Sequence, residues 1–210
     1  PHFLYNTLNT MSGIANAQNC PMVSGMCHSL SAIFRYSLNM TDELSTIQSE
    51  MDHVRNYLYV MDVRNGSSIA YEYQIDEETL QDQIPRICLQ PVVENALTHG
   101  LRNTRRKDKK LCIATKHING DLVVTIADNG TGMDAEAMNI LLEKNDRKRV
   151  ETGVSIGILN VNARLKQLFG AEYGLKIKSE PGNGTTVRIV IPAISCEEKQ
   201  KVTTGEGELV

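Results

Sequence analysis

Tryptophan is absent from the 210-residue chain, and three phenylalanines with seven tyrosines bring its aromatic content to only 5%. Proteins that hold single-stranded nucleic acid stack bases on aromatic side chains along a basic groove, and few such platforms exist here. Positive charge is not in excess either. Lys and Arg total 22 against 25 Asp and Glu, a net charge of −3, so the overall balance draws the chain neither to nucleic acid nor to an anionic membrane. The run Arg102 to Lys110, with six cations and one Asp, reads as a solvated loop. No apolar run approaches the ~18 residues of a membrane-spanning helix, and no signal peptide opens the chain. Five cysteines (Cys20, Cys27, Cys88, Cys112, Cys196) are odd in number and form no CxxC pair. They read as reduced thiols rather than a disulfide framework or a metal set. The chain opens on Pro1-His2 instead of Met, which reads as a piece of a longer protein with further segments upstream.

What is present is a folding composition, 41% apolar and 22% charged, long enough for one or two domains with a real core. Between His2 and Arg64 stand one proline, Pro21, and two glycines, so this stretch reads as helical. Phe3, Leu4, Leu8, Met11 and Ala15 recur at helical spacing up to about Gln18. A second helix follows Pro21 with Met26, Leu30, Ile33 and Phe34 on one side. A third opens with a capping-box pattern, Ser45-x-x-Gln48. It carries Ile47, Met51, Val54, Leu58 and Met61 alternately four and three apart. Such helices pack on one another or on a second copy, and a helical hairpin that dimerises is the natural solution.

After Arg64 the pattern changes. Ile69 to Ile75 alternates as a strand, and Pro85 reads as the first residue of a helix running to His99. Strands are expected at Leu111–His117 and Leu122–Ala127, joined by a turn at Asn119-Gly120. A short helix is expected at Ala135–Leu142, another at Ile158–Phe169, and strands at Leu175–Ser179 and Thr185–Ile191. His28 and His53 read as helix-surface residues. The resulting fold class is α+β: residues 1–64 a helical region, 65–194 an α/β sandwich with helices on one face of one sheet, and 195–210 a disordered tail.

Four clusters carry the polar chemistry. Glu94-Asn95-Ala96-Leu97-Thr98-His99-Gly100 places Asn95, a hard oxygen ligand able to fill one site on Mg²⁺, one helical turn before His99. Asp128-Asn129-Gly130-Thr131-Gly132-Met133 follows a strand. Its carboxylate can accept a hydrogen bond from an amine such as that of adenine, and its glycines admit close approach. Gly153-Val154-Ser155-Ile156-Gly157-Ile158-Leu159-Asn160 opens a helix, where free N–H groups and the helix dipole favour phosphate. Gly182-Asn183-Gly184-Thr185-Thr186 precedes the last strand. Each alone also fits an ordinary polar helix face or turn.

Taken together, in this order, the clusters resemble the ATP-binding domain of the GHKL superfamily, the Bergerat fold. Asn95 matches the N box, Asp128, Gly130 and Gly132 the G1 box, Gly153 to Gly157 the G2 box, and Gly184-Thr185 the GT motif. Pro1-His2-Phe3-Leu4-Tyr5-Asn6-Thr7-Leu8-Asn9 resembles the phosphoacceptor motif of LytS/YesM-like sensor histidine kinases. Arg35-Tyr36-Ser37-Leu38, Asn56-Tyr57-Leu58, Leu89-Gln90-Pro91-Val92-Val93-Glu94-Asn95-Ala96 and Asn160-Val161-Asn162-Ala163-Arg164-Leu165 resemble the same family.

The resemblance implies a dimeric, ATP-dependent protein-histidine kinase: the cytoplasmic part of a two-component sensor, anchored to the membrane only through segments upstream of Pro1. It implies ATP and Mg²⁺ as cofactors. His2 would be phosphorylated and the group passed to an aspartate of a response-regulator receiver domain, with no nucleic-acid partner. Asn6 would orient His2 or a hydrolytic water, and Glu94 or another carboxylate would serve as base. Asn95 would hold the metal. His99, Asp128, Gly130, Gly132, Gly153, Gly157, Asn160, Gly184 and Thr185 would line the nucleotide site, under a lid between Asp134 and Thr152. Phe3, Thr98 and Ser155 depart from the family pattern. They support the alternative of a nucleotide-binding, dimerising module without phosphotransfer.

Overall fold

The computed structural model describes residues 2–38, 43–66, 69–144 and 156–194. Three helices come first: α1 (His2–Ala17), α2 (Pro21–Leu38) and, after the short strand β1 (Leu44–Thr46), α3 (Ile47–Asn65). α1 packs on α2, and α2 on α3. Pro21 opens α2, and Asn19 before it takes φ 54, so the chain reverses where proline cannot continue a helix. The seam read in α3 is real. Ile47, Met51, Val54 and Leu58 are at most 2% exposed. They do not form a coiled-coil stripe; they join the hydrophobic core of the residues that follow.

A mixed sheet of five strands has the order β2-β4-β5-β7-β6, from β2 (Ala70–Ile75), β4 (Lys110–Ile118), β5 (Asp121–Asp128), β6 (Gly174–Glu180) and β7 (Gly184–Pro192). β2 pairs with β4 in parallel and every other pairing is antiparallel. The β4–β5 hairpin turns at Asn119 (φ 54) and Gly120 (φ 88), as an Asn-Gly two-residue loop demands. Leu111, Ile113, Leu122, Val124, Ile126, Val187, Ile189 and Ile191 alternate onto one face, buried to 4% or less. There they share one core with α3, α4 (Leu89–Asn95), α5 (Ala135–Lys144) and α6 (Ile156–Phe169). Full burial of each such side chain contributes roughly 1.5–3 kcal/mol relative to exposure. Asn162 ties α6 into this layer: its Nδ2 donates to the Leu142 carbonyl and its Oδ1 accepts from the Leu175 N–H, both at 2.9 Å.

Several local expectations are corrected. α3 is capped by Thr46, whose Oγ1 accepts from the Ser49 N–H at 3.2 Å, not by Ser45 with Gln48. Pro85 does not start a helix. It ends β3 (Gln83–Pro85), which pairs antiparallel with β1. The helix begins four residues later, and Pro91 sits in its first turn, where proline is tolerated. Past Asn95 the helix widens to a π turn, Ala96–Leu101, in which the Arg102 N–H reaches the Leu97 carbonyl. His53 is 3% exposed rather than on a helix surface; His28 is exposed as read. The tail from 195 lies outside the described residues.

Candidate active site

The end of β5, the π turn and the start of β7 meet around Asp128. Its Oδ1 accepts the Gly130 N–H at 2.8 Å. Burial lifts the carboxyl to about 6, while backbone hydrogen bonds from Gly130 and Thr185 act in the opposite direction. Gly100 faces this carboxylate so closely that a methyl group there would lie 2.6 Å from Oδ1. Thr131 closes the turn from the other side. Its N–H donates to the Gly100 carbonyl at 3.1 Å and its Oγ1 to the His99 carbonyl at 3.0 Å. Gly132 (φ 65) and Gly184 (φ 88) both take left-handed backbone, and a Cβ on either would strike a neighbouring carbonyl, of Glu180 and Asp128 respectively. Only glycine fits both the angle and the space.

The structure thus brings together His99 on the π turn, Asp128 at the end of β5, Gly130 and Gly132 on the turn after it, and Gly184 and Thr185 at the start of β7; Asn95, the last residue of α4, lies one helical turn before His99. Asn95 is 4% exposed and His99 half-buried. Two further residues belong with them. Gly100 lets the π turn pack directly against the Asp128 carboxylate. Ser179 on β6 fastens the turns together: its Oγ accepts from the Met133 N–H at 2.9 Å, donates to the Gly184 carbonyl at 2.8 Å and lies 2.9 Å from Thr185 Oγ1. A lone serine in a strand gives no pattern to read, and Gly100 could have been found from its place after His99.

Gly157 is the second residue of α6, half-buried, and Asn160 is exposed on the same helix. Gly153 and Ser155, with residues 145–152 of the expected lid, lie outside the described residues. His2 and Asn6 stand apart from the cluster, exposed at the start of α1, with Asn6 Nδ2 3.3 Å from His2 Nδ1. Glu94 is exposed on α4. It adds to the rise of the Tyr57 phenol to about 12, which burial chiefly causes and Arg64 opposes.

The arrangement fits an adenine nucleotide. A half-buried carboxylate holds spare acceptor capacity for an amine, and Gly100 and Gly130 let backbone pack directly against it. It does not form an acidic metal cage: among the described residues no group of three or more His, Cys, Asp and Glu could hold a metal. A Mg²⁺ here would therefore take one protein oxygen and keep water and phosphate ligands, the usual habit of that ion. No helix of the described residues is long and apolar enough to cross a membrane.

Comparison with known proteins agrees with this geometry. Residues 1–69 match the family model "Histidine kinase", and residues 85–195 match "Histidine kinase-, DNA gyrase B-, and HSP90-like ATPase". Sensor histidine kinase YesM of Bacillus subtilis (strain 168) is 36% identical over 91% of this chain and 31% of its own length. Sensor protein LytS of Staphylococcus haemolyticus is 30% identical over 94% of this chain and 33% of its own. The chain thus spans about a third of the length of these curated relatives. The histidine kinase domain of a blue-light activated histidine kinase from Erythrobacter litoralis superposes with a TM-score of 0.51 at 18% identity, covering 96% of this chain and 88% of that one, and shares the fold. With an ATPase family model over more than half of its residues and a histidine kinase model over the helices before it, the chain belongs to the LytS/YesM-like sensor histidine kinases, of the histidine kinase-, DNA gyrase B- and HSP90-like ATPase family.

Proposed function

We propose that this chain is the cytoplasmic part of a two-component sensor histidine kinase that autophosphorylates on His2 with Mg-ATP and passes the phosphoryl group to a response-regulator aspartate. The observation that carries this reading is the half-buried Asp128 carboxylate packed against Gly100 and Gly130, in one chain with an exposed, amide-bonded His2. Asp128 accepts the adenine amine, and the turns at Gly130, Gly132 and Gly184-Thr185 bring backbone close to the nucleotide. Gly157 and Asn160 face its phosphates and His99 lines the same cleft; the phosphate role expected of Gly153 falls outside the described residues. Asn95 holds Mg²⁺, which when bound neutralises charge on the phosphate oxygens.

His2 attacks the γ-phosphorus in line as neutral imidazole, and the γ-phosphate's bond to the bridging oxygen of ADP breaks. Asn6 sets which ring nitrogen is free. Turned so that Oδ1 faces Nδ1–H, its amide leaves the lone pair on Nε2. Glu94, one residue before Asn95, is the carboxylate assigned to take up the displaced ring proton.

The domain division follows the same logic: residues 1–64 dimerise and accept phosphate, and 65–194 bind nucleotide. On α1 and α2, Phe3 is 78% exposed and Ile14 and Met22 are 60% exposed. A second copy of the hairpin covers them in the dimer. Membrane anchoring is the task of segments upstream of Pro1.

The test is incubation of the chain with γ-labelled ATP and Mg²⁺. Acid-labile, base-stable label that disappears in His2→Gln is the expected result. ATP binding without any label favours the module without phosphotransfer, and acid-stable label on Ser or Thr overturns the histidine assignment.

A further inference from the structure

The carboxylate of Glu50 is wholly buried on α3, yet its hydrogen-bond partners all lie on other elements. Oε1 accepts from the Ile87 N–H at 2.6 Å, and Oε2 from the Cys88 and Leu89 N–H groups at 3.0 and 3.1 Å. These amides open α4. Cys88, its N-cap, has helical backbone and no side-chain capping bond of its own. Helix starts leave such amides unsatisfied, and a carboxylate is a strong partner for them. Here it comes from 37 to 39 residues earlier in the chain. Ile87 takes φ 56, a region that β-branched residues seldom enter, and in that conformation its amide meets Glu50.

The other partner of Glu50 Oε1 is the Tyr36 hydroxyl in the last turn of α2, which donates at 2.5 Å. Burial and the adjacent carboxylate push that phenol's pKa well up, so it stays a donor. Tyr36 is itself gripped. The Arg86 guanidinium lies 4.1 Å from its ring centroid and donates to its carbonyl at 2.6 Å. His53 lies 4.6 Å from the ring and reaches Gln90 of α4 at 2.6 Å. The Arg86 carbonyl in turn accepts from Arg164 of α6 at 2.7 Å. One end of α2 is therefore joined to both helices that bear nucleotide-site residues, Asn95 on α4 and Gly157 on α6.

We propose that Glu50 and Tyr36 are positioning residues that link the histidine-bearing hairpin to Asn95: the carboxylate fixes the start of α4, and the phenol keys that start to α2. α4 is seven residues long with Asn95 as its last, so a shift of its first amides passes directly to the metal-holding side chain. The transfer readout of this proposal rests on the kinase reading; its structural readout does not.

The test compares the chain with its Tyr36→Phe variant, which loses one oxygen and keeps the ring. Transfer to His2 is expected to fall about tenfold in kcat, with KM for ATP within about twofold. Deuterium exchange at the amides of Val92 to Asn95 is expected to rise about tenfold. Glu50→Gln is expected to weaken ATP affinity as well; if it fails to fold, Tyr36→Phe decides alone. Transfer at the wild-type rate, or α4 exchange at the wild-type rate, overturns the link. A wild-type chain that labels nothing overturns the kinase reading instead. The exchange comparison then still decides the link.

Discussion

α1 and α3 are amphipathic helices of 16 and 19 residues with similar apolar spacing, yet they end in opposite environments. α3 buries Ile47, Met51, Val54 and Leu58 almost completely, whereas α1 buries only Ala15 and leaves Phe3, Met11 and Ile14 in solvent. Periodicity identifies which face of a helix wants company. It does not say whether the company is the same chain. α3 finds it in the sheet module, and in the dimer we propose, α1 finds it in a second copy.

Truncating the two helices sharpens that comparison. Leu58→Ala is expected to destabilise the chain by about 2–5 kcal/mol, since a fully buried leucine leaves a cavity. Urea unfolding read by circular dichroism measures it. A cost under 1 kcal/mol would mean that α3 is not part of the core.

The second prediction concerns a group found only in the sheet module. The Asp128 carboxyl is raised to about 6 from an ordinary 3.8. Its contribution to stability is therefore full below pH 3.8 and lost as pH rises through 6, so at neutral pH the ionised group is a burden on the fold. Nucleotide binding runs the other way, because the amine needs the ionised acceptor. Affinity for an ATP analogue is expected to fall about tenfold per pH unit below 6, by calorimetry, while hairpin dimerisation keeps its strength over the same range. The smallest expected effect is that of Ile14→Ala, within about 0.5 kcal/mol on urea unfolding of the monomer, with weaker dimerisation by analytical ultracentrifugation. Equal dimerisation would remove α1 from the interface.

The sequence showed patterns that are local. The α3 seam, the Asn119-Gly120 turn and the glycines around Asp128 each occupy a few consecutive or periodic residues. What stayed hidden has its partner far along the chain. Glu50 looks like one more charge on α3 until the start of α4 arrives beside it. β1 and β3 are three residues each, too short to alternate visibly, and Pro85 at the end of β3 imitates a helix start. His53 lies on the same buried side as Glu50, and Gly100 in the π turn meets Asp128 from 28 residues away along the chain.

The central claim is that Asp128 seats an adenine nucleotide. Calorimetric titration of a non-hydrolysable ATP analogue with Mg²⁺ at neutral pH, into the chain and into Asp128→Asn, tests it most directly. The account predicts saturable binding to the first and a loss of about tenfold or more in the second, the worth of a hydrogen bond to a charged acceptor, with the variant folded and at least as stable without nucleotide. Equal affinity in both, or no heat from the unaltered chain at millimolar analogue, would contradict it.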